Sequence, residues 1–501
     1  MKRLSGFLVA CLATAFALHP AGPLAGQAAP AKPSRPPLPT GRVIEKIACQ
    51  AAPDERYALY LPSGYRPDRP WPIVYALDAR GNGSEIAELL KTGAERYGWI
   101  VASSYNSMSD QSIDPNVAAV RAMWADTHAR LALDDRRIYL AGHSGTVRSA
   151  VTLALAAPGS VIGVFGASAG FPFERPPSTD VPFDFFGTVG DRDMNYYEMM
   201  ALDKKLAALA LPYRIEMFAG THEWPPAELA SRGMGWLELR AMKRGLREKD
   251  AALIEELWAT DLEQARQAET AGRVADAFHT WSAMKADYAG LHDVSEAERK
   301  TAELGSSDAL RRELATREER LKRDTDYLSE APKILGRIMN SDSEGTPPTA
   351  ARIANELKIS DWQKRAQSTD VEESLAAKRV LNTLLAQTSF YLPQMLIQRK
   401  DYDNAILMLS VAAEIRPESP GLWVEIAAAW ARKGKAGSKR ALEALDKAVG
   451  LGFKDRAQID SETAFDGLRQ DERFREILNK IPATRALTPS PSPTSGRGEK
   501  V

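Results

Sequence analysis

A serine hydroxyl is a poor nucleophile at neutral pH unless a base takes its proton and an acid holds that base. Three segments of this chain carry those residue types in a usable order. The first is Gly142-His143-Ser144-Gly145-Thr146. An apolar, β-rich run from Ile138 to Ala141 precedes it, and an apolar run with helical spacing, Val147 to Ala156, comes after it. A strand that turns abruptly into a helix through a small–x–Ser–small peptide pushes the serine hydroxyl out at the sheet end. The helix behind it aims its first backbone N–H groups at the same place, where they favour developing negative charge. Ser144 is therefore the candidate nucleophile. The usual pattern has a second glycine two residues after the serine; here that position is Thr146, and a β-branched residue there is expected to crowd the turn.

The chain has six histidines, and most are poor candidates for the base. His19 lies in the N-terminal apolar segment, His279 and His292 in a later helical region, and His128 in the helix before the elbow strand. His143 is inside the elbow and is expected to point away from the hydroxyl. His222, in Gly220-Thr-His-Glu-Trp-Pro-Pro, follows the strand read at Tyr213–Phe218 and remains. Between serine and histidine lies Gly190-Asp191-Arg192-Asp193 at another strand end. Its Gly-x-x-Asp spacing selects Asp193 as the acid, with Asp191 as the alternative. The order Ser, Asp, His is the one that α/β-hydrolases use. Gly166-Ala-Ser168-Ala-Gly170 also has the small–x–Ser–x–Gly pattern, but the proline-rich stretch after it, Phe171 to Pro182, cannot carry an elbow helix. Ser168 is read as part of a loop lining the cleft.

The elements that must position these groups are read from periodicity. Arg56 to Pro62 alternates as a strand. Trp71 to Asp78 and Trp99 to Ser104 are nearly continuous apolar runs, as strands buried on both faces are. Helical spacing marks Ser84–Tyr97, Val117–Leu133, Val147–Ala156 and Tyr196–Ala210. Further strands are read at Val161–Phe165, Asp184–Val189 and Tyr213–Phe218. Strand and helix in alternation imply an α/β fold whose parallel sheet is covered on both faces, with its site at the C-terminal strand ends.

Asp135-Arg-Arg-Ile-Tyr-Leu-Ala-Gly-His-Ser-Gly, the Gly-Asp-Arg-Asp-Met-Asn turn and the Gly-Thr-His-Glu-Trp-Pro-Pro segment resemble the α/β-hydrolase superfamily. The resemblance is nearest to the secreted esterases that include polyhydroxybutyrate depolymerases and feruloyl esterases. It covers about residues 43–245 and implies a serine esterase or related acyl hydrolase that needs no cofactor. In such an enzyme His222 takes the Ser144 proton, Asp193 holds the imidazole, and the N–H of Gly145 meets the oxyanion. A second donor comes from the glycine-rich turn after Asp78: Ala79, or alternatively Arg80. Tyr105 and Trp224 are candidates for lining a substrate pocket. The substrate is an ester, and the lack of a long lid insertion suits a bulky or polymeric one. No His, Cys and Asp cluster has metal-ligand spacing.

Composition bounds the rest. With 501 residues the chain has material for two or three domains, and a net charge of −1 gives no reason to expect nucleic acid. Lys2 and Arg3, the apolar run Phe7–Leu18 and small residues up to Ala28 read as an export signal over residues 1–28, too short for a permanent membrane span. Leu8-Val-Ala-Cys11 resembles a lipoprotein box, but the apolar run lies mostly after Cys11, so ordinary cleavage near Ala28 is preferred. The destination is the periplasm or the exterior. Cys49 is then the sole cysteine, and no internal disulfide can form. Residues 29–42 are a proline-rich linker.

From Leu246 the texture becomes helical. Ala405-x-x-x-Leu409-x-x-Ala412, Trp423-x-x-Ile426-Ala427-x-x-Trp430 and Ala441-x-x-x-Leu445-x-x-Ala448 resemble tetratricopeptide repeats, helical pairs of about 34 residues. The expected organisation is a hydrolase domain over 43–245, a helical region over 246–345, an all-α repeat domain over 346–485 and a disordered tail over 486–501. Such repeats commonly bind protein segments, so a protein partner is one expectation. Two alternatives to an esterase remain open: a serine peptidase or amidase on the same residues, and a catalytically inactive periplasmic protein that acts through its helices.

Overall fold

The computed structural model describes residues 38–110, 112–339 and 348–481. The segment read as an export signal, most of that read as a proline-rich linker, residues 340–347 and the segment read as a disordered tail lie outside the described residues.

Eight strands form one sheet in the order β1-β2-β4-β3-β5-β6-β7-β8. They are β1 (Val43–Ala48), β2 (Arg56–Tyr60), β3 (Trp71–Leu77), β4 (Ile100–Ser104), β5 (Leu133–His143), β6 (Gly163–Ala167), β7 (Asp184–Gly190) and β8 (Tyr213–Phe218). Strand β2 is antiparallel to both β1 and β4, and every pairing from β4 to β8 is parallel. Strands β3, β4, β6 and β7 are buried along their whole length, which is why they read as continuous apolar runs.

Side chains alternate between two cores. Val74, Ala76, Tyr139 and Ala141 face α1 (Gly83–Tyr97) and a later helix, Ala227–Lys243. Ile73, Tyr75, Ile138 and Leu140 face α2 (Asp114–Arg130), α3 (Gly145–Ala156) and α4 (Tyr196–Ala208). This strand order, with one reversed strand and the fifth strand running into the serine turn, is the α/β-hydrolase topology.

Two elements are absent from the sequence reading. Strand β1 is irregular, with a register shift between Ile44 and Ile47 and Lys46 at φ 52°, so its sequence lacks clean alternation. The helix Ala227–Lys243, α5, contains Gly233 and Gly235, which weaken helical propensity. A Cβ at Gly233 would strike the rings of Phe165 and Phe186, so the glycine lets α5 lie close on the sheet.

The chain divides into two compact units, residues 1–325 and 326–501. The change of texture at Leu246 is thus a change of secondary structure within the first unit. Helices α6 (Ala251–Thr270), α7 (Val274–Tyr288) and α8 (Ser295–Gly305) bring Trp258, Trp281, Tyr288 and Ala297 into the same core as Phe186 and Leu237. A buried ionic network ties them to the sheet edge. Arg214 of β8 donates to both carboxylate oxygens of Asp261 at 3.0 Å and to Asp287 at 2.8 Å, and Tyr288 donates to Asp261 at 3.0 Å. Helix α9 (Asp308–Met339) comes next.

The second unit is helical: α10 (Ala350–Glu356), α11 (Ile359–Arg365), α12 (Val371–Ala386), α13 (Leu392–Gln398), α14 (Tyr402–Ile415), α15 (Pro420–Ala431), α16 (Ser438–Gly450), α17 (Arg456–Ser461) and α18 (Glu472–Asn479). The periodic residues Ala405, Leu409, Ala412, Ala427, Ala441, Leu445 and Ala448 are all buried at its helix contacts. Among the described residues no helix is long and apolar enough to cross a membrane.

Candidate active site

Strand β5 ends at His143, and Ser144 takes φ 57° and ψ −134° before α3 begins at Gly145. That backbone is disfavoured for a residue with a Cβ and persists only where its surroundings hold it. Three contacts do so. The Ser144 N–H donates to Ala167 O at 2.8 Å, and the Val147 N–H donates to Ser144 O at 3.0 Å. Gly142 admits the helix start: a Cβ there would lie 2.7 Å from Val147 N.

The third contact is Thr146, which does not crowd the turn. It is fully buried, and its hydroxyl accepts from the His143 N–H at 2.9 Å. The same oxygen lies 2.5 Å from Leu77 O and 2.8 Å from His143 O, to which it donates. Where a glycine would only leave room, threonine ties the elbow to the end of β3. Thr146→Val keeps the shape and removes these bonds. It should cost about 1–3 kcal/mol in urea unfolding, because the His143 N–H is left without its acceptor.

Ser144 is 6% exposed, and His222 Nε2 lies 2.9 Å from its Oγ. His222 Nδ1 lies 2.8 Å from Oδ1 of Asp193, whose side chain is fully buried. The Asn195 N–H donates to the same carboxylate oxygen at 2.8 Å. With a carboxylate at Nδ1, that nitrogen carries the proton and Nε2 is left to accept from the serine.

The runner-up acid, Asp191, sits elsewhere. Its Oδ1 accepts from the Gly220 N–H at 3.1 Å and from Arg192 Nε at 3.0 Å, so it braces the start of the histidine loop. Ser168 also has positive φ, at 61°, but no helix begins after it. Its hydroxyl donates to Glu223 O at 3.2 Å, which pins the other side of the same loop.

Trp224 completes that loop. Its indole N–H donates to Oδ1 of Asp78 at 2.8 Å, and its ring lies beside His143 and Phe165. Asp78 is buried, and its Oδ2 accepts from the N–H groups of Arg80 at 2.9 Å and Asn82 at 3.2 Å. The Arg80 N–H is thereby committed to shaping the turn, which leaves Ala79 as the strand-end amide to weigh. Tyr105 packs under the same turn, with its ring about where a Gly83 side chain would be and its hydroxyl buried. Asp78 and Asn195 escaped the sequence reading. A carboxylate directly after the buried strand, opening a Gly-Asn-Gly turn, is the signal that could have found Asp78.

His143 differs from expectation. Its ring lies 5.0 Å from that of His222, on the site side of the elbow. Its Nε2 is enclosed and has no hydrogen-bond partner among the described residues. Burial, with the neighbouring His222 as the second cause, pushes its pKa down to about 4. A folded-state pKa below the ordinary 6.5 means that the unfolded chain binds the proton more readily. The stability contribution is complete above about pH 6.5 and drains away as pH falls towards 4. Between pH 7 and pH 5 the protein should lose about 1–2 kcal/mol that a His143→Phe variant does not lose, measured by urea unfolding at both pH values.

Two large apolar side chains stand exposed near the elbow. Met108, 40% exposed, precedes Ser109 in the loop after β4. Phe173, 72% exposed, covers the Arg148 guanidinium at 4.6 Å, one turn into α3. Arg148 is in turn paired with Glu198 at 2.6 Å. Among the described residues no group of three or more His, Cys, Asp and Glu side chains is arranged to hold a metal ion.

No protein-family model and no curated protein matches the chain. Among solved structures it is similar to the S-formylglutathione hydrolase of Staphylococcus aureus, at 13% identity over 36% of this chain and 90% of that one, with a TM-score of 0.30. An esterase from Pyrobaculum calidifontis is 15% identical over 40% of this chain and 86% of that one, with a TM-score of 0.33. Est1E from Butyrivibrio proteoclasticus is 13% identical over 40% of this chain and 100% of that one, with a TM-score of 0.32. Likenesses this distant carry no argument about what the chain does.

Proposed function

We propose that the chain is an exported serine hydrolase that cleaves carboxylic esters through Ser144, His222 and Asp193. The observation that carries this reading is the continuous relay from Ser144 Oγ to His222 Nε2 at 2.9 Å and from His222 Nδ1 to Asp193 at 2.8 Å. His222 takes the serine proton as Oγ attacks the carbonyl carbon. Asp193 holds the tautomer and stabilises the imidazolium, and the same proton then goes to the departing alkoxide. Water repeats the sequence on the acyl-enzyme. The oxyanion is met by the N–H groups of Gly145 and Ala79, at the positive end of α3.

An ester is the less demanding substrate for this set of groups, because an amide nitrogen must be protonated before it can leave. Met108, next to Ser109, and Phe173, against Arg148, offer exposed apolar surface, which suits a bulky acyl or aryl group. The inactive alternative has the aligned relay against it, since a decayed site has no reason to keep a fully buried Asp193 on the far side of His222. The export segment and a protein partner for the second unit remain part of the proposal.

The test is turnover of p-nitrophenyl esters of increasing acyl length beside the matching p-nitroanilides. Ester hydrolysis with anilides at least about 10²-fold slower supports the esterase. Anilide rates that match the esters favour the peptidase reading, and no turnover of either refutes both.

A further inference from the structure

The loop after β4 places a hydroxyl against the nucleophile turn. The Gly145 N–H donates to Ser109 Oγ at 3.2 Å, so in the resting state this oxygen sits where a substrate oxyanion would be received. The backbone of Ser109 is tied to the other side of the same spot: its N–H donates to Ala79 O at 3.0 Å. Ser109 thus bridges the two segments that supply the backbone donors. The contact is close, since a Cβ built on Gly145 would collide with Ser109 Oγ. Asp110, the next residue, is held at φ 61° and turns the chain away.

We propose that Ser109 is a third, side-chain donor to the oxyanion; this rests on the reading of Ser144 as nucleophile. A hydroxyl both accepts and donates. At rest Ser109 Oγ accepts from the Gly145 N–H and keeps that helix-start donor satisfied. When a carbonyl oxygen arrives, the hydroxyl swings about χ1, because its backbone is fixed to Ala79, and gives up the N–H. As Ser144 Oγ bonds to the carbonyl carbon, the C=O electron pair moves onto oxygen and the serine proton passes to His222 Nε2. Ser109 O–H then donates a hydrogen bond to the new anion without transferring its proton. Its contribution grows only as charge develops, so it acts on kcat rather than on binding.

The experiment compares wild-type chain, Ser109→Ala and Ser109→Thr for p-nitrophenyl butyrate kinetics and for the rate and site of fluorophosphonate labelling. Ser109→Ala should lower kcat about 10–100-fold with KM changed less than about twofold, and slow labelling of Ser144 by a similar factor. Ser109→Thr, which keeps the hydroxyl, should restore most of both rates. Undiminished kcat in Ser109→Ala, or a raised KM at constant kcat, with Ser144 still labelled, would show that Ser109 only caps a free amide. If the wild-type chain is not labelled on Ser144, the underlying reading falls and this role falls with it, a result distinct from failure of Ser109 alone.

Discussion

Ser144→Ala should reduce kcat for a p-nitrophenyl ester by roughly 10⁶-fold while the protein keeps its melting temperature to within a few degrees. The size reflects the role of the hydroxyl. Without Oγ no acyl-enzyme can form, His222 has no proton to take, and only the oxyanion donors and substrate binding remain. Stability is spared because only one hydroxyl is removed and the backbone of Ser144 is held by Ala167 O and the Val147 N–H, bonds that alanine retains. The matched control is Ser168→Ala. It loses the bond to Glu223 O, which steadies the histidine loop, and should leave turnover within about tenfold of wild type. Equal losses in the two variants would mean that the site has been assigned to the wrong serine.

Asp193→Asn carries the second-largest effect, a fall in kcat of about 10⁴-fold. Asparagine is isosteric, but its amide N–H can face His222 Nδ1 and push the proton to Nε2. There it points at the serine and cannot accept. In the wild-type protein both carboxylate oxygens can only accept, so the one facing His222 requires the proton on Nδ1 and leaves Nε2 free to accept from the serine. Asp191→Asn keeps an oxygen for the Gly220 N–H and should cost less than about tenfold. Steady-state kinetics at pH 7.5 on the two variants separate the carboxylates cleanly. A larger loss in Asp191→Asn would contradict the geometry.

The three candidate residues could be picked out of the sequence because each follows a strand of the parallel run, Ser144 and Asp193 after buried ones and His222 after the partly buried β8. An apolar run of five to seven residues is easily read, and in a parallel sheet the segments leaving such runs all emerge at one end. Chemistry-bearing residues at three such ends, in the order Ser, Asp, His, leave few arrangements. Asp193 was separable from Asp191 only by a spacing rule, and the reason for the difference lies in contacts with Gly220 and Asn195 that no spacing encodes. Ser109 and Asp78 were hidden for a related cause. Their partners are 36 and 146 residues away, brought together by packing between loops. Thr146 was read as a liability because its hydroxyl finds Leu77, 69 residues earlier, an acceptor invisible to local pattern. The helix α5 was missed for the opposite reason. Gly233 answers to the rings of Phe165 and Phe186 and Gly235 to Tyr97 and Leu257, a tertiary demand that overrides helical propensity.

Fluorophosphonate labelling of the wild-type chain, with proteolysis and mass mapping of the phosphonylated peptide, tests the central claim most directly. The probe reacts with a serine only where a base and an oxyanion site activate it, and it needs no knowledge of the natural substrate. The account predicts a single modified serine, Ser144, with labelling abolished in His222→Ala and retained in Ser168→Ala. A label on Ser168, or no label on folded protein, would contradict it.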